Sequence, residues 1–404
     1  MSDALAISIQ PRLLLVSAHR WPETCRLALA AHEAGFEVSL LAPKGHPIAE
    51  LSWVHPVGFL PPLRPQRAVA QVLNSEDFDL VVAVDDLGAS TIFEAFLAGS
   101  LNDRAASVVT TSFGDPESFG FRHSRARIGA IATETALVAP RTWPVTAETL
   151  RQVVEECGFP AVFKVDGGFG GQQVIVAHDL DGAVAAFATL QQPQGAARAL
   201  GRLILDHDST YLGSALSRNR PEVCVQQFVA GEPATLTVAC WNGVVLDSMG
   251  CRVLRTSSLN GPATVVEAIE HPNMLRAARV IAAALGMSGL FGLDFILSDD
   301  SSASLIELNP RATPTTHLHP STLKRPLLHL LADAVGSQPP APGPALPRGP
   351  IVLVPQARVL DPDAVEPADA HLDLPDDPDV IELCRSAIVV KQVPQLERAI
   401  RRIF

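Results

Sequence analysis

Two acidic residues interrupt two apolar runs in the last third of the chain, and this pattern constrains the fold more than any other. Segment 289–317 contains the runs LFGLDFIL and SLIEL, which are joined by a short polar link. Apolar runs with such a link predict a β-hairpin. If the hairpin is centred between Asp300 and Ser301, Asp294 lies directly opposite Glu307, with the two Cβ atoms roughly 5 Å apart on one face.

Two facing carboxylates on a half-buried sheet repel each other unless a cation lies between them. Asn309 shares their face, because strand side chains alternate. Two carboxylates and one amide are hard oxygen ligands that suit Mg²⁺, an ion that also binds nucleotide phosphates. Arg311 follows with a fixed positive fork suited to phosphate or carboxylate. The alternative is a solvated ribbon whose acids face water, but the flanking runs are more apolar than an exposed ribbon would be.

The composition of the chain argues against several classes of protein. The chain has 404 residues, enough for two or three domains, and a net charge of −12, which argues against nucleic acid or an anionic membrane as partner. Its six cysteines show no CxxC or zinc-ligand spacing, a pattern typical of reduced cytosolic thiols. The start lacks a signal-peptide pattern, and the most apolar stretch, 280–293, is shorter than the roughly 20 residues of a membrane-spanning helix. We therefore expect a cytoplasmic protein.

The first third of the chain has the pattern of a parallel α/β domain. RLLLVSA and FEVSLLA read as strands on either side of a helix, a β-α-β unit that predicts a parallel sheet. The further elements predicted here are a strand over 79–86, a helix near 89–98 and a strand over 106–111. No G-x-G-x-x-G follows the first strand, so the dinucleotide-binding fingerprint is absent from the sequence. Residues 1–112 are interpreted as a Rossmann-like domain.

Asp85 and Asp86 end one of these predicted strands. Ligands of α/β sheets bind at the carboxyl ends of the strands, which makes both acids candidates for a substrate site. Two solvated acids at a strand end are an equal alternative.

The middle of the chain contains cations and glycines suited to a polyphosphate. A local basic cluster of Arg122, Arg125 and Arg127 precedes a helical segment. The strand PAVFKVD carries Lys164, one of only four lysines, and a lysine in an apolar strand needs an anionic partner. The next segment, 167–173, reads GGFGGQQ, and its bare N–H groups suit a loop that closes over phosphates. The alternatives are a solvated cluster and a glycine-rich turn with an exposed lysine.

Two further features precede the acidic hairpin in the sequence. The outgoing backbone of strand 223–229 could hold a purine edge, with Glu232 accepting hydrogen bonds from ribose hydroxyls. Asn242-Gly243 lies between alternating apolar runs and predicts a second hairpin. Arg252, which follows that hairpin, is a candidate catalytic cation pointing into the same cleft, or else a structural ion-pair partner.

The segment after Arg311 is predicted to be a loop rich in polar residues. His317 and His319 are candidate acid–base groups or metal ligands. A Pro-rich linker over 336–350 follows, and residues 351–404 are expected to return to the body of the protein.

Taken in order, these motifs resemble the ATP-grasp superfamily over residues 113–335. The motifs are a basic residue before a helix, P-R-T, the strand lysine, the Gly-rich tip, Q-x-F-V-x-G-E, G-x-D and E-x-N-P-R. The resemblance implies ATP held between two α+β lobes, with the small lobe spanning about 146–226. The expected fold class is α/β and α+β, a Rossmann-like N-terminal domain followed by a two-lobed ATP-grasp fold.

The resemblance also implies roles for individual residues. Asp294, Glu307 and Asn309 would ligate Mg²⁺, with Mn²⁺ as the alternative ion. Arg311 would hold the transferred phosphoryl group and the acyl substrate, and Lys164 would contact ATP phosphate. The implied nucleotide-binding residues are Arg125, Lys164, Gly167, Gly168, Gly170, Gly171, Gln226, Phe228, Val229 and Glu232.

The sequence departs from the family pattern at three positions. Arg125 stands where the family has its first nucleotide-contacting lysine, and arginine has a different reach and a fixed fork. Gln173 ends the Gly-rich tip where a further glycine is common. Glu232 comes one residue earlier than in some relatives.

The expected activity is that of an ATP-dependent carboxylate–amine ligase. A substrate carboxylate would attack the γ-phosphate, giving ADP and an acyl phosphate, and an amine would then displace phosphate. Such chemistry needs positioning and charge neutralisation more than a side-chain nucleophile. The alternatives are a thiol or carbon acceptor, and a nucleotide-binding protein without ligase activity. The expected partners are a small carboxylate and an amine, and paired subunits are common in the family, which makes a homodimer a candidate assembly.

Overall fold

Three β-sheets with packed helices make up the structure, a computed structural model. It describes residues 10–21, 24–165, 174–192, 222–258, 261–319, 325–343, 345, 348–362 and 364–392. The first sheet is parallel and the other two are wholly or mostly antiparallel. The predicted fold class, α/β followed by α+β, is confirmed.

The N-terminal sheet is parallel throughout, in the order β3-β2-β1-β4. Its strands are β1 (Arg12–Val16), β2 (Glu37–Ala42), β3 (Val54–Phe59) and β4 (Leu80–Ala83). Its helices are α1 (Thr24–Glu33), α2 (Pro65–Ser75), α3 (Asp86–Leu97) and α4 (Asp103–Phe113), with a 3₁₀ turn over Pro47–Glu50. The central strands are continuous apolar runs buried on both faces, as parallel sheets require. The strand order reverses between β1 and β4, which opens a crevice at their carboxyl ends.

The strand predicted over 106–111 is wrong, because this segment lies within helix α4. Its β-branched residues favour a strand, but the Asn102 side chain caps the helix by accepting a hydrogen bond from the Ala105 N–H at 2.9 Å. Ala105, Val109 and Phe113 are buried at a spacing of four residues, which is the helical period. Burial of residues at the helical period therefore outweighs the local strand propensity, and the segment forms a helix.

The small lobe is a four-stranded antiparallel sheet in the order β5-β8-β6-β7. Its strands are β5 (Thr142–Val145), β6 (Ala161–Val165), β7 (Val174–Ala177) and β8 (Val223–Gln227). Helices α6 (Leu150–Cys157) and α7 (Leu180–Gln191) pack on one face over a core that includes Phe163 and Phe187. A 3₁₀ turn over Pro116–Phe121 and helix α5 (Arg125–Glu134) connect this lobe to the N-terminal domain.

The third sheet has seven strands in the order β13-β12-β9-β10-β11-β14-β15. They are β9 (Glu232–Trp241), β10 (Val244–Thr256), β11 (Ala263–Ile269), β12 (Gly289–Leu297), β13 (Ala303–Asn309), β14 (Pro350–Leu353) and β15 (His371–Asp373). The β9–β10 turn is Asn242-Gly243 with φ of 49° and 79°, the backbone that a tight hairpin requires, so the predicted hairpin is confirmed. Helix α8 (Pro272–Ala284) covers one face of this sheet through Met274 and Ile281.

The N-terminal sheet and the seven-stranded sheet share one apolar core. Leu13 and Leu15 of β1 belong to the same buried cluster as Ala239 of β9, Met249 of β10 and Leu331. The remaining helices are α9 (Leu327–Ala334), α10 (Gln356–Leu360) and α11 (Pro378–Gln392). In the part of the chain described above, no helix combines the length and the apolarity needed to cross a bilayer.

Candidate functional site

The acidic hairpin has the side-chain arrangement that its sequence predicts. Asp294 of β12 pairs directly with Glu307 of β13. The Asn309 amide nitrogen donates a hydrogen bond to the Asp294 carboxylate at 2.9 Å, which puts the three side chains on one face. Burial, reinforced by the negative charge of Glu307, raises the pKa of Asp294 to about 6. The pair is therefore electrostatically unfavourable in the protein alone, as expected of a cation site.

The register of the hairpin contains an irregularity that the sequence did not predict. Near the turn, Phe295 pairs with Leu305, and the register shifts by one residue before Asp294 pairs with Glu307. Ile306 is the extra residue on β13, as in a β-bulge. Without this shift Asp294 would face Ile306, and the two acids would lie on opposite faces.

Gly292 makes room for the loop that follows the hairpin. It pairs with Asn309, and a Cβ at this position would lie 2.3 Å from the Thr313 methyl carbon. The loop is held there by hydrogen bonds among the hydroxyls of Thr237, Thr313 and Thr315. A larger residue than glycine would push the loop away from the acidic pair.

Arg125 joins the hairpin to the small lobe. It begins helix α5, whose N-terminus is capped by the Ser124 side chain. One guanidinium nitrogen donates to the Glu307 carboxylate at 2.5 Å, and the other donates to the Val165 carbonyl at 2.7 Å. Arg125 therefore bridges the acidic hairpin and the strand that carries Lys164.

Lys164 is buried in β6 and belongs to a polar chain within the small lobe. Its ammonium donates to the Gln226 side-chain oxygen at 2.8 Å, and the Gln226 amide donates to the Thr142 hydroxyl at 3.0 Å. Burial lowers the pKa of Lys164, while the charges of Glu307 and Asp294 act in the opposite direction. The lysine thus lies within electrostatic reach of the acidic pair.

Arg311 connects the hairpin to the N-terminal domain. Its guanidinium donates to the Asp86 carboxylate at 2.8 Å and to the Asn309 oxygen at 3.4 Å. Burial alone would lower the pKa of Arg311, but the Asp86 carboxylate raises it above the ordinary value. Asp86, at the carboxyl end of β4, therefore belongs to the same cluster as Asn309 and Asp294.

Asp85 has a different role from its neighbour. It caps helix α3 by accepting from the Gly88 N–H at 2.7 Å, and it also accepts from the Ala18 and His19 N–H groups at 2.8 and 3.1 Å. Burial alone would raise the pKa of Asp85, but the His19 ring and these donors hold it below the ordinary value. Its oxygens are engaged by the protein, so Asp85 holds the loops of the crevice in place.

The structure does not bring Glu232 and Arg252 into the cluster. Asp294 pairs with Thr235, and Thr235 pairs with Cys251, so these three share one face of the sheet. Arg252 and Glu232 occupy the alternate positions on the opposite face, where their side chains form an ion pair at 3.2 Å. The strand register therefore places Glu232 and Arg252 away from the acidic pair, on the other face of the sheet.

The remaining predicted residues lie in several places. Phe228 is 46% exposed and Val229 half-buried in the connection between β8 and β9. His317 lies apart from the acidic pair, hydrogen-bonded to Asp373 at 2.5 Å in a network that includes Arg26. The four glycines of the predicted phosphate loop lie outside the described residues: Gly167, Gly168, Gly170 and Gly171.

The roles of some residues in this region could not be predicted from the sequence. Arg122, grouped with Arg125 in the basic cluster, is buried and donates to the carbonyls of Phe113 and Leu285 at 2.7 and 3.4 Å. Its partners are distant in sequence, so spacing could not separate a structural arginine from a ligand-binding one. His123, which follows it, lies near the charges of Asp86 and Arg311.

A family model described as an ATP-grasp domain matches residues 208–315, the segment that contains the acidic hairpin. The matched segment and the two-lobed architecture agree, and the resemblance to the ATP-grasp superfamily is confirmed. The sequence is also similar to the carbamoyl phosphate synthase large chain of Mesorhizobium japonicum, with 23% identity over 333 residues. That match covers 78% of this chain, but the chain spans only 27% of the length of the synthase.

Two solved structures illustrate the shared fold. The L-amino acid ligase from Bacillus licheniformis superposes with a TM-score of 0.54 and 16% identity, covering 82% of this chain and 75% of the ligase. The biotin carboxylase domain of the 2-oxoglutarate carboxylase from Hydrogenobacter thermophilus superposes with a TM-score of 0.57 and 12% identity, covering 82% of this chain and 70% of that domain. That domain was crystallised with MgADP, ADP and bicarbonate.

Proposed function

We propose that this protein is a cytoplasmic, Mg²⁺- and ATP-dependent ligase that joins a carboxylate to an amine through an acyl phosphate. The observation that carries the proposal is the acidic pair, Asp294 and Glu307, held on one face with Asn309 and flanked by cations from two other parts of the molecule. Arg125 reaches it from the small lobe side, and Arg311 reaches it from the N-terminal domain. Facing acids surrounded by cations suit a divalent metal with phosphate oxygens.

The donor set fits Mg²⁺, or Mn²⁺ in its place. Two carboxylates and an amide supply hard oxygen ligands. Burial and the charge of Glu307 raise the pKa of Asp294 to about 6, and a bound cation would offset both. Asp294, Glu307 and Asn309 would hold the ion. When bound, it would neutralise charge on the transferred phosphoryl group and orient it.

Different cations of the site would bind ATP and the carboxylic acid substrate. Lys164 and Arg125 would bind ATP phosphates from the small lobe, where Gln226 and the backbone after β8 would hold the base. Arg311 would hold the substrate carboxylate or the phosphoryl group, since its fork suits either anion. Fixed charges in a partly dry site stabilise the transition state of phosphoryl transfer without a side-chain nucleophile.

One of the structures that share the fold supports a ligase over other uses of ATP. One structure that shares the fold is described as an L-amino acid ligase, which suggests amino acids as a first class of acid and amine to test. In the proposed reaction, the acid attacks the γ-phosphate with release of ADP, and the amine then displaces phosphate.

The experiment is a screen for phosphate release with Mg-ATP and pairs of proteinogenic amino acids and simple carboxylic acids, followed by product mass. The proposal expects release that requires both an acid and an amine, with a product mass equal to their sum minus water. ATP binding without release for any pair would instead support the second candidate, a nucleotide-binding protein without ligase activity. The Arg125–Glu307 ion pair favours that candidate, because it already balances part of the acidic charge.

A further inference from the structure

We propose that His123 is the general base that takes a proton from the acceptor amine. This inference rests on the ligase function proposed above and adds to it a residue with no role in ATP binding. It is carried by the hydrogen bond between His123 and Ser90 and by the nearness of the ring to the charges of two ion pairs of the site. A carboxylate–amine ligase needs such a group, because an amine is protonated at neutral pH and an ammonium ion has no lone pair with which to attack.

The position of His123 brings it close to charged groups of the site. His123 lies within electrostatic reach of two ion pairs, Asp86–Arg311 and Arg125–Glu307. Arg311 and Glu307 are the residues assigned to the acyl phosphate and the metal. The hydrogen-bond partner of His123, Ser90, contacts the backbone carbonyl of Asp86, so the ring lies near the residues that would hold the acyl phosphate.

The backbone around His123 is held on both sides. The residue before His123 is the buried Arg122, whose guanidinium donates to the Phe113 carbonyl at 2.7 Å. The residue after it is Ser124, which caps helix α5. The imidazole itself lies beside the Phe93 ring, with 6.1 Å between ring centroids. The backbone is thus anchored on both sides, as a catalytic group requires.

The tautomer of the His123 ring follows from the hydrogen bonds of Ser90. The Ser90 hydroxyl is 2.9 Å from the Asp86 backbone carbonyl, which can only accept, and so the single hydroxyl proton of Ser90 is directed there. The Ser90 oxygen is also 3.2 Å from Nε2 of His123, and toward this ring it acts as an acceptor. Nε2 therefore carries the proton, and Nδ1 is the unprotonated, basic nitrogen. Ser90 is accordingly a positioning residue that fixes which nitrogen is basic.

The charge state agrees with this role. Burial lowers the pKa of His123, and the cations Arg311 and Arg125 act in the same direction, while the acids Asp86 and Glu307 oppose them. The ring is therefore neutral at pH 7 and able to accept a proton.

Nδ1 of His123 takes one proton from the ammonium group, and the resulting amine attacks the acyl carbon. The C–N bond forms and the bond from carbon to the phosphate oxygen breaks. The second nitrogen proton leaves with phosphate, and the imidazolium returns its proton to solvent.

The test compares His123→Gln with wild type, using the acid and amine that give most phosphate release in the screen. The glutamine amide can still donate to Ser90, so the variant removes the base while keeping the structural hydrogen bond. We expect amine-dependent product at pH 7 to fall by about 100- to 10,000-fold, with a rate that rises in proportion to hydroxide concentration. With hydroxylamine as acceptor, which is already unprotonated at pH 7, hydroxamate formation should stay near the wild-type rate.

Two further variants sharpen the result. Ser90→Ala should lower the amine-dependent rate by a smaller factor and leave hydroxamate formation unchanged. His178→Gln changes an exposed histidine and should match wild type in both assays. An equal loss with both acceptors, or no loss with the amine, would overturn the role of His123.

A second measurement needs no substrate, and its outcome is independent of ligase activity. Protein labelled with ¹⁵N-histidine reports ring tautomers through long-range ¹H–¹⁵N couplings, and the His123→Gln variant identifies the His123 signals. The proposal expects the Nε2–H tautomer at pH 7. An Nδ1–H tautomer or an imidazolium at that pH would contradict it, whereas loss of activity with every acid would contradict only the proposed function.

Discussion

Asp85 and Asp294 are both partly buried carboxylates at the junction of the domains, yet their environments shift the pKa of the carboxyl group in opposite directions. Asp85 accepts from three backbone N–H groups and lies beside His19, and its pKa is lowered. Asp294 faces Glu307, and burial and that charge raise its pKa to about 6. The comparison separates a carboxylate whose charged form is stabilised by donors of the protein from one whose charged form is disfavoured by burial and a neighbouring acid. The first stabilises the fold, and the second is the one that the proposed function assigns to a metal ion.

The largest expected effect is that of Glu307→Ala on turnover. This change removes an assigned metal ligand and the partner of Arg125, so ADP production with the best acid and amine should fall to background. The measurement is coupled ADP release at saturating Mg-ATP. Near-normal ADP production would show that the metal assignment is wrong.

Asp85→Asn and Asp294→Asn should have opposite effects on stability. Asp85→Asn replaces an acceptor of several N–H groups and should lower the free energy of unfolding by about 2–4 kcal/mol. Asp294→Asn removes a repulsion and should leave stability unchanged or increase it at pH 7 without metal. Urea denaturation in a chelator measures both, and equal losses would remove the distinction between the two sites.

The same pair of variants gives opposite dependences on pH. The pKa of Asp294 is about 6 in the folded protein against an ordinary 3.8, so its contribution to stability is present below about pH 4 and is lost as pH rises through about 6. A shift of that size corresponds to about 3 kcal/mol. The lowered pKa of Asp85 gives a contribution that is present at neutral pH and is lost in acid. The stability of wild type minus that of Asp294→Asn should therefore decrease from pH 4 to pH 7 in a chelator, and Mg²⁺ should reduce this decrease.

Lys164→Ala should weaken ATP binding by roughly tenfold, because it removes one charge-assisted contact to phosphate. Calorimetric titration with a non-hydrolysable ATP analogue measures the effect. Binding equal to that of wild type would exclude Lys164 from the nucleotide site. Lys44→Ala, at a lysine exposed in the N-terminal domain, is the matched control.

The smallest effects are expected for Glu232→Ala and Arg252→Ala. Their ion pair is exposed, and it lies on the face of the sheet opposite Asp294, so ATP affinity and turnover should stay within about twofold of wild type. Steady-state kinetics for both variants check this. A large rise in KM for ATP in Glu232→Ala would restore the ribose contact that the register argues against.

Much of this arrangement could be predicted from the sequence, because its signals are local. The hairpin that carries Asp294 and Glu307 follows from two short strands and the turn between them, although their direct pairing also needs the extra residue Ile306, which the sequence does not predict. The parallel opening sheet follows from alternating strand and helix patterns. Helix α4 was predicted as a strand, since packing against other elements outweighs the local preferences of residues 106–111.

The parts that sequence could not supply depend on faces and on distant partners. Glu232 has the right residue type, but only the strand register reveals which face it occupies. Asp86 and Arg311 are 225 residues apart, and no spacing rule joins them. His123 stands out only when its hydrogen bond to Ser90 is seen.

The extra residue Ile306 also makes the alignment of the acidic pair independent of the turn at the tip of the hairpin. β9 fixes Asp294 through its pairing with Thr235, and the extra residue absorbs the offset between the two ends of the hairpin. The exposed tip, residues 299–301, is therefore an insertion point for a fluorophore or affinity tag. A reporter grafted there would sit one short ribbon away from the reacting groups and leave their alignment intact.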